Sequence, residues 1–346
     1  MSEVTTTMQT STGNPQTEMI KYGLQINVQK PVVDWSRSTK ATIDAAGTDG
    51  ASLEVKNGNS LITIKGDDYL SHVTLAVDAE ADNHISQADI EIIAQARANT
   101  SIVLQTHSAN TVSHRQNVTL TAKASAHVSL VLIQSLDENS SGFFDITIDA
   151  AADATINVIS LDSSGAFIQR SIIANLNETG AQCNQQVISL CAEQQHDLYT
   201  ESNHIARQTK SNILTRAAVL GSSKSVSRSL IKIGKDAFGS EGYEKQEALI
   251  LSPTAEADAI PNLEIHNHDV KCSHGSTIGQ LDEEKLYYLM SRGLNRKQAI
   301  AAMIEGYFMP VIKAIPDQAT CILVQLCIQK MFSESNNVRN ISGDIQ

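Results

Sequence analysis

The sequence predicts a mainly β protein, and its composition favours a β-solenoid. From about residue 52 to residue 270, short β-branched runs alternate with clusters of Asn, Asp, Gly, Ser and Ala. These runs predict roughly fifteen strands with no long amphipathic helix among them, which excludes folds that alternate strands and helices. Aromatic residues make up only 4% of the chain, which suits the thin interior of stacked coils. A sandwich and a barrel remain the alternatives.

The strand signals are runs that alternate apolar and polar residues with a period of two. The clearest lie at residues 61–65, 72–77, 101–106, 117–122, 127–133, 144–149 and 155–160. Later runs begin near Phe167, Gln185, Leu198, Ile213, Val226, Tyr243 and Asn262. Their spacing is too irregular for a tight sequence repeat, and Asn57-Gly58 is the one Asn-Gly hairpin signal. We place the solenoid core at residues 51–280.

Residues 281–334 are predicted to form a C-terminal helical region. Asp282 is a suitable N-cap for a first helix, and Gly293 can take the left-handed conformation that ends it. Asn295 can cap a second helix, which Pro310 should kink or end.

A third helix should start at Pro316-Asp317. It is apolar over most of its circumference, so other elements or a partner must cover it. The chain ends are different in character. Residues 1–50 form a polar segment that we expect to be partly disordered, and residues 335–346 form a polar tail.

Composition and charge exclude several classes of protein. The net charge of −12 argues against non-specific nucleic-acid binding, which needs a basic surface. No run approaches the roughly 18 apolar residues of a membrane helix, and the N-terminus lacks the pattern of a secretory signal. Five irregularly spaced cysteines without a C-x-x-C motif should be reduced thiols, and they predict neither a disulfide framework nor a self-contained zinc site. We therefore expect a cytoplasmic protein.

Motifs of common catalytic chemistry are absent from the sequence. There is no phosphate-binding G-x-x-x-x-G-K-[ST], so the chain is not expected to bind or hydrolyse nucleotides. There is no dinucleotide-binding G-x-G-x-x-G after a strand, no H-E-x-x-H and no G-x-S-x-G. A β-helix carbohydrate-active enzyme is disfavoured because aromatic residues that would stack on sugars are scarce.

The densest group of chemically active side chains lies in residues 264–275. His266, His268, Cys272 and His274 are all even-numbered, so an unbroken strand would place them on one face. A C-x-H pair on one strand has its two Cα atoms about 7 Å apart, within reach of one ion. Thiolate and imidazole together suit iron or zinc. The alternative is a half-exposed strand with solvated histidines and a small buried cysteine.

This segment resembles the SufB/SufD family of iron–sulfur cluster assembly proteins, and its K-C-S-H-G form is typical of the SufD branch. The resemblance rests on Pro261-Asn-Leu-Glu-Ile265, on the stretch from Asp269 to Asp282 that contains Lys-Cys-Ser-His-Gly, and on Tyr287-Tyr-Leu-Met-Ser-Arg-Gly-Leu294. Two positions depart from the usual pattern, where an Asp precedes Asp269 and an Ala follows the Gly. His268 replaces that Asp and Ser276 replaces that Ala.

The resemblance implies a right-handed parallel β-helix flanked by helical segments. It also implies a SufB-like paralogue bound through the β-helix and a SufC-like ABC ATPase bound through the C-terminal helical region. A transient iron–sulfur cluster would form at the subunit interface, with His274 and Cys272 as the ligands from this chain. Glu264 and Asp269 are candidates for orienting a histidine from behind.

The sequence as a whole is thus read as a non-catalytic, SufD-like scaffold subunit, with no catalytic residue of its own. ATP hydrolysis is expected in the SufC-like partner. Two alternatives stay open. One is a SufB-type homodimeric scaffold that works with SufC alone, and the other, much less favoured, is the carbohydrate-active enzyme.

Overall fold

The computed structural model describes residues 30–47, 51–56, 59–66, 70–81 and 84–334. Most of the predicted polar segment 1–50 and the tail 335–346 lie outside the described residues. A short 3-10 helix, Trp35–Arg37, comes first. The strands are Thr39–Lys40 (β1), Thr42–Gly47 (β2), Ala51–Lys56 (β3), Asn59–Ile64 (β4), Leu70–Asp78 (β5), Ile85–Ala94 (β6), Asn99–His107 (β7), Ser113–Ala122 (β8), His127–Ser135 (β9), Ser141–Ala150 (β10), Thr155–Asp162 (β11), Phe167–Leu176 (β12), Gln182–Ala192 (β13), Gln195–His204 (β14), Lys210–Leu220 (β15), Lys224–Ile233 (β16), Ser240–Ile250 (β17), Glu256–Ile265 (β18) and Val270–Gln280 (β19).

The strands stack into a β-solenoid, as predicted. Even-numbered strands from β4 to β18, with β3 and β1, form one sheet (sheet 1). Odd-numbered strands from β5 to β19, with β2, form the other (sheet 2). From β4 onwards each strand pairs with the strand two places along the chain, whereas β1 pairs with β6, β2 with β5 and β3 with β4. All pairs are parallel except β2 with β5 and β3 with β4. One strand from each sheet therefore makes one coil, which rules out the sandwich and barrel alternatives. The first strands, β1 and β2, precede the predicted start at residue 51.

Coil length varies, which explains the irregular strand spacing in the sequence. Register partners one coil apart are Ser141 and Phe167 at one place, but Lys224 and Glu256 at another. The corners between the sheets also lack the glycines by which turns are usually recognised in a sequence. Arg97, Ser125 and Asp153 stand at equivalent corners with φ of 62°, 56° and 55°. These left-handed positions carry ordinary residues in place of the glycines that mark hairpin turns.

The solenoid interior is apolar in its first coils and polar in its last ones. Ile, Leu, Val and Ala side chains fill the core from Ile62 to Leu176, and Ala94, Ala122 and Ala150 stack in register at one end of sheet 1. Uncharged polar groups such as Ser86 and His114 are already buried in the early coils, and from β11 onwards charged groups join the interior. Here the Arg170 guanidinium Nε lies 2.8 and 2.9 Å from the two Asp162 carboxylate oxygens, and both side chains are buried.

The C-terminal helices are Glu283–Ser291 (α1), Arg296–Ile312 (α2) and Gln318–Glu334 (α3). The predicted caps are confirmed. Asp282 accepts from the backbone N–H groups of Glu284 and Lys285, and Gly293 has φ of +102°. Asn295 forms a capping box with Gln298.

Pro310 lies inside α2, which continues for two more residues and ends at Ile312. Of the predicted alternatives, that Pro310 should kink or end α2, the ending is thus wrong. Val311 and Ile312 are buried against the outer face of sheet 2, and this packing holds the last turn although Pro310 lacks a backbone N–H.

The helices cover the outer face of sheet 2. Ile300, Ile304 and Phe308 of α2 pack with Ile159 and Leu190 from the sheet. Polar contacts secure the same junction. Arg216 of β15 has its Nε 2.7 Å from a Glu247 carboxylate oxygen of β17, and its guanidinium carbon lies 5.0 Å from the centre of the Tyr307 ring. Helical region and late coils are therefore joined through Arg216.

The predicted need to cover α3 is met on one side of this helix. Val324 and Ile328 are buried, whereas Ile322 and Leu326, four residues apart on one face, are 47% and 55% exposed. An apolar face of α3 thus remains in contact with solvent.

Arg170→Met should lower the free energy of unfolding by about 3–5 kcal/mol, because it leaves the buried Asp162 carboxylate without its partner. The double variant Arg170→Met/Asp162→Leu should recover most of this loss, since no charge is then left unpaired. Urea denaturation followed by circular dichroism measures both. A single variant that loses less than about 1 kcal/mol would contradict the assignment of this pair as an interior charge pair.

Candidate functional site: the open end of the solenoid

The candidate site lies where the stacking of coils stops. Among the described residues, no strand pairs with the free edges of β18 and β19. Alternate residues of β17 are buried in the interior, but their register partners in β19 are half-buried or exposed. The interior-facing side of the last coil therefore stands open, and it carries Cys272 and His274. Two large apolar side chains, Ile265 and Ile278, are 43% and 46% exposed at the same end.

Cys272 is the half-buried member of the predicted pair. It lies in register with Gly242 of β17 and packs beside Leu263 and Val270. Partial burial raises the pKa of the Cys272 thiol, while the Gly242 backbone N–H opposes that rise. A side chain at position 242 would not fit, because its Cβ would lie 2.8 Å from Ile231 Cγ2. The floor beneath the thiol is thus formed by backbone and by the Ile231 methyl groups.

His274 is exposed and lies in register with Glu244. Partners on neighbouring parallel strands are about 4.8 Å apart and share one face of the sheet, so Glu244 occupies the position one coil before His274 on the interior-facing side. Glu244 is only 4% exposed, and Ser229 Oγ donates to its Oε1 at 2.6 Å. Burial raises the pKa of Glu244 to about 7, against smaller opposing effects of Ser229 and the Asn262 backbone.

Sequence reasoning missed Glu244. The residue is 30 positions before His274, and no local motif joins the two. The signal that could have found it is the coil length, since one coil separates register partners. That length is visible only once the strand pairing is known.

The strand carrying the four even-numbered residues is broken. β18 ends at Ile265 and β19 begins at Val270, in different sheets, so His266 and His268 lie in the intervening turn and both are exposed. The expectation that they would share a face with Cys272 and His274 is wrong, because the chain turns a corner of the coil there. Their alternative interpretation, as solvated histidines, agrees with this exposure.

Of Glu264 and Asp269, proposed to orient a histidine, Glu264 contacts a histidine, but it is His266 and not His274. Glu264 accepts from His266, whose Nε2 lies 2.8 Å from Oε1, and this bond is the largest cause of the lowered pKa of Glu264. The Asp269 backbone carbonyl accepts from Gly239 N–H at 2.7 Å, and its own N–H donates to Asn267. Neither residue has a recorded hydrogen bond to Cys272 or His274.

No group of three or more His, Cys, Asp or Glu side chains is placed to hold a metal ion within the described ranges. The last coil offers one thiol and one imidazole, which is fewer than the four ligands usual for zinc or iron–sulfur sites. The other cysteines do not add to the set. Cys183 and Cys191 are fully buried, and burial raises the pKa of each thiol to about 12.

Fold and site together define a β-solenoid protein with an incomplete set of soft metal ligands at an uncovered end. Residues 76–307, more than half of the chain, match the family model described as the SUF system FeS cluster assembly SufBD core domain. The chain therefore belongs to the SufBD family of the SUF iron–sulfur cluster assembly system. This confirms the resemblance seen in the sequence.

Curated relatives agree with the family. The chain is 33% identical over 122 residues to the iron–sulfur cluster assembly protein SufD of Escherichia coli, a match covering 35% of this chain and 29% of that protein. It is 33% identical over 141 residues to a SufBD family protein of Mycobacterium bovis, covering 40% of this chain and 17% of the relative. A SufBD family protein of the alga Antithamnion is 34% identical over 123 residues, or 36% of this chain and 41% of the relative. The matches thus span less than half of each relative.

None of the helices in the described part of the chain is long and apolar enough to cross a membrane.

Glu244→Gln should change how stability depends on pH. In the wild type the folded chain holds a proton on Glu244 up to a pKa of about 7, and the unfolded chain only to about 4.5. Wild-type stability is therefore lost as pH rises through this window. Because glutamine does not titrate, the variant should gain up to roughly 3 kcal/mol relative to wild type between pH 4.5 and pH 7.

Urea midpoints at pH 5 and pH 8 measure this difference. Glu241→Gln, on the outer side of the same strand, is the matched control. An equal difference between Glu244→Gln and wild type at both pH values would contradict the prediction.

Proposed function

We propose that this chain is a SufD-like, non-catalytic scaffold subunit of a cytoplasmic complex that builds iron–sulfur clusters. The observation that carries the proposal is the open last coil, which exposes Cys272 and His274 together with Ile265 and Ile278. A SufB-like paralogue would cover this end through its own solenoid. The nascent cluster, which is the cargo of the complex, would then form between the ligands of the two chains.

Several features support a ligand set shared between two chains. His274 lies at the exposed surface, and a neutral imidazole of this kind binds iron through one ring nitrogen. Cys272 lies two residues away, half-buried beside Gly242. Two donors on one chain leave the remaining positions of a metal to a partner or to sulfide. Free edges on β18 and β19 can also accept strands from the partner by ordinary sheet pairing.

Energy input would come from a SufC-like ABC ATPase bound to the C-terminal helical region. The chain has no phosphate-binding loop of its own. The face of α3 with exposed Ile322 and Leu326 supports this assignment, and so does Tyr287 of α1, which is 75% exposed. Closure of two ATPase subunits would move the helical region, and the Arg216 contacts to Glu247 and Tyr307 connect that region to β17 beside the site.

His274→Ala should reduce cluster formation by the complete complex at least ten-fold, because it removes one of the two metal ligands proposed for this chain. Anaerobic reconstitution with iron and a sulfide source, followed by visible absorption, measures the rate. His268→Ala, in the neighbouring turn, is the matched control and should form the cluster at the wild-type rate. Equal rates for wild type and His274→Ala would rule out the site assignment.

The two partner surfaces can be separated by reciprocal variants. Ile278→Asp should abolish capture of the SufB-like paralogue and leave ATPase binding intact, because a buried unpaired carboxylate is costly at an interface. Leu326→Asp should have the opposite effect. Co-expression of the three chains, anaerobic size exclusion and light scattering measure the composition. Loss of both partners in either variant, with an unchanged circular dichroism spectrum, would contradict the two-surface assignment.

The same measurement decides between the hetero-complex and the SufB-type homodimer. The open end of one chain is also available to a second copy, so a homodimer that binds the ATPase without a paralogue is the competing outcome. A mass corresponding to two copies of this chain and two ATPase subunits would favour it.

A further inference from the structure

Glu244 is a buried carboxyl directly beneath the exposed His274. The two residues are register partners on β17 and β19, and both belong to the interior-facing side of sheet 2. The residues on either side of His274 on that face, Cys272 and Ser276, lie over Gly242 and Gln246 instead. His274 is therefore the side chain of the last coil that stands over this carboxyl.

Only half of the Glu244 carboxyl is satisfied. Oε1 accepts from Ser229 Oγ at 2.6 Å, and Ser229 in turn accepts from Gln246 Nε2, which fixes the position of the group. Oε2 is buried and has no hydrogen-bond donor among the described residues. The Asn262 backbone N–H lies near enough to the carboxyl to lower its pKa, but it does not satisfy Oε2. A buried carboxylate oxygen without a donor is costly. One coil outward, on the same face, lies the exposed His274, whose imidazole can donate.

We propose that Glu244 is a positioning residue for His274, with Oε2 accepting a hydrogen bond from one imidazole N–H. This bond fixes the ring tautomer and leaves the other nitrogen unprotonated and directed to the open end of the solenoid. A metal-binding imidazole needs this arrangement, and carboxylates commonly supply it from behind the ligand. The proposal rests on the proposed function of His274 and adds the group that prepares its ring.

The hydrogen bond can be tested on the full chain without any cluster. In ¹⁵N-histidine-labelled protein at pH 8, the two ring nitrogens of His274, assigned by their loss in His274→Asn, should show a single neutral tautomer. Glu244→Met, which has no acceptor, and Glu244→Gln, a weaker acceptor, should shift both nitrogens towards the average of two tautomers. Glu241→Gln should leave them unchanged. Identical ring signals in wild type and both Glu244 variants would overturn the proposal.

The functional consequence is measured separately. Loss of a carboxylate behind a metal-binding histidine typically lowers metal affinity about 10- to 100-fold. Glu244→Met should therefore slow cluster formation by the complex about ten-fold, with Glu244→Gln in between, while thermal unfolding confirms that both variants fold. The double variant Glu244→Met/His274→Ala should be no slower than His274→Ala, because the carboxyl acts through the imidazole.

The outcomes separate this proposal from the proposed function. If His274→Ala slows cluster formation and the Glu244 variants do not, Glu244 is not a positioning residue. If His274→Ala itself has no effect, the proposed function fails, and the ring signals alone decide whether the Glu244 contact exists.

Discussion

Coil-on-coil stacking is the constraint on which this molecule depends. Each strand obtains its backbone hydrogen bonds from the strands one coil before and one coil after, and each interior side chain is buried by the same neighbours. In the described part of the chain, no coil follows β18 and β19. The same rule that builds the solenoid thus leaves its last coil with free edges and an uncovered interior face. The candidate site needs no dedicated loop or cleft, because the ending of the stack creates it.

The interior changes in character towards that end. Early coils are filled with Ile, Leu, Val and Ala, whereas the late coils bury Arg170, Asp162, Glu244 and many hydroxyl groups. Buried polar groups cost stability unless they are paired, and several here, such as Glu244 Oε2 and Thr215 Oγ1, have no partner in the described structure. An apolar filling would be more stable. Conflict between local stability and side-chain chemistry is expected at functional sites, and here it is concentrated near the open end.

Local sequence signals predict the helices, but they do not predict the register between strands of successive coils. Asp282 and Asn295 cap their helices through neighbours two or three residues away, so the sequence alone identifies them. Coil length is set instead by corners such as Arg97, whose left-handed backbone leaves no glycine signal. Pro310 does not end α2 for a similar reason, since burial of Val311 against sheet 2 outweighs the local preference of proline.

The site shows the same division. Cys272 and His274 were found because they are two residues apart on one strand, and the alternation of side chains along a strand places them on one face. His266 does not share that face because this alternation holds only until a strand ends. The break after Ile265 carries a turn residue, Asn267, whose side chain accepts from the Asp269 N–H. Glu244 could not be found because its relation to His274 is a register between coils. Residues that complete a site along a solenoid axis become visible only with the pairing, whereas residues that share a strand are visible in the sequence.

An incomplete ligand set suits the proposed scaffold function, in which the metal cargo would have to leave. A full set of four protein ligands would hold a cluster permanently, as structural metal sites do. One thiol and one imidazole on an exposed strand supply only part of the coordination, so retention depends on whatever covers the open end. The Arg216 junction ties β17, the strand under that site, to Tyr307 of the helical region. A displacement of α2 would therefore bear directly on the strand that forms the floor of the site, and in the proposed function binding at the helices would alter the geometry at which the cargo is held.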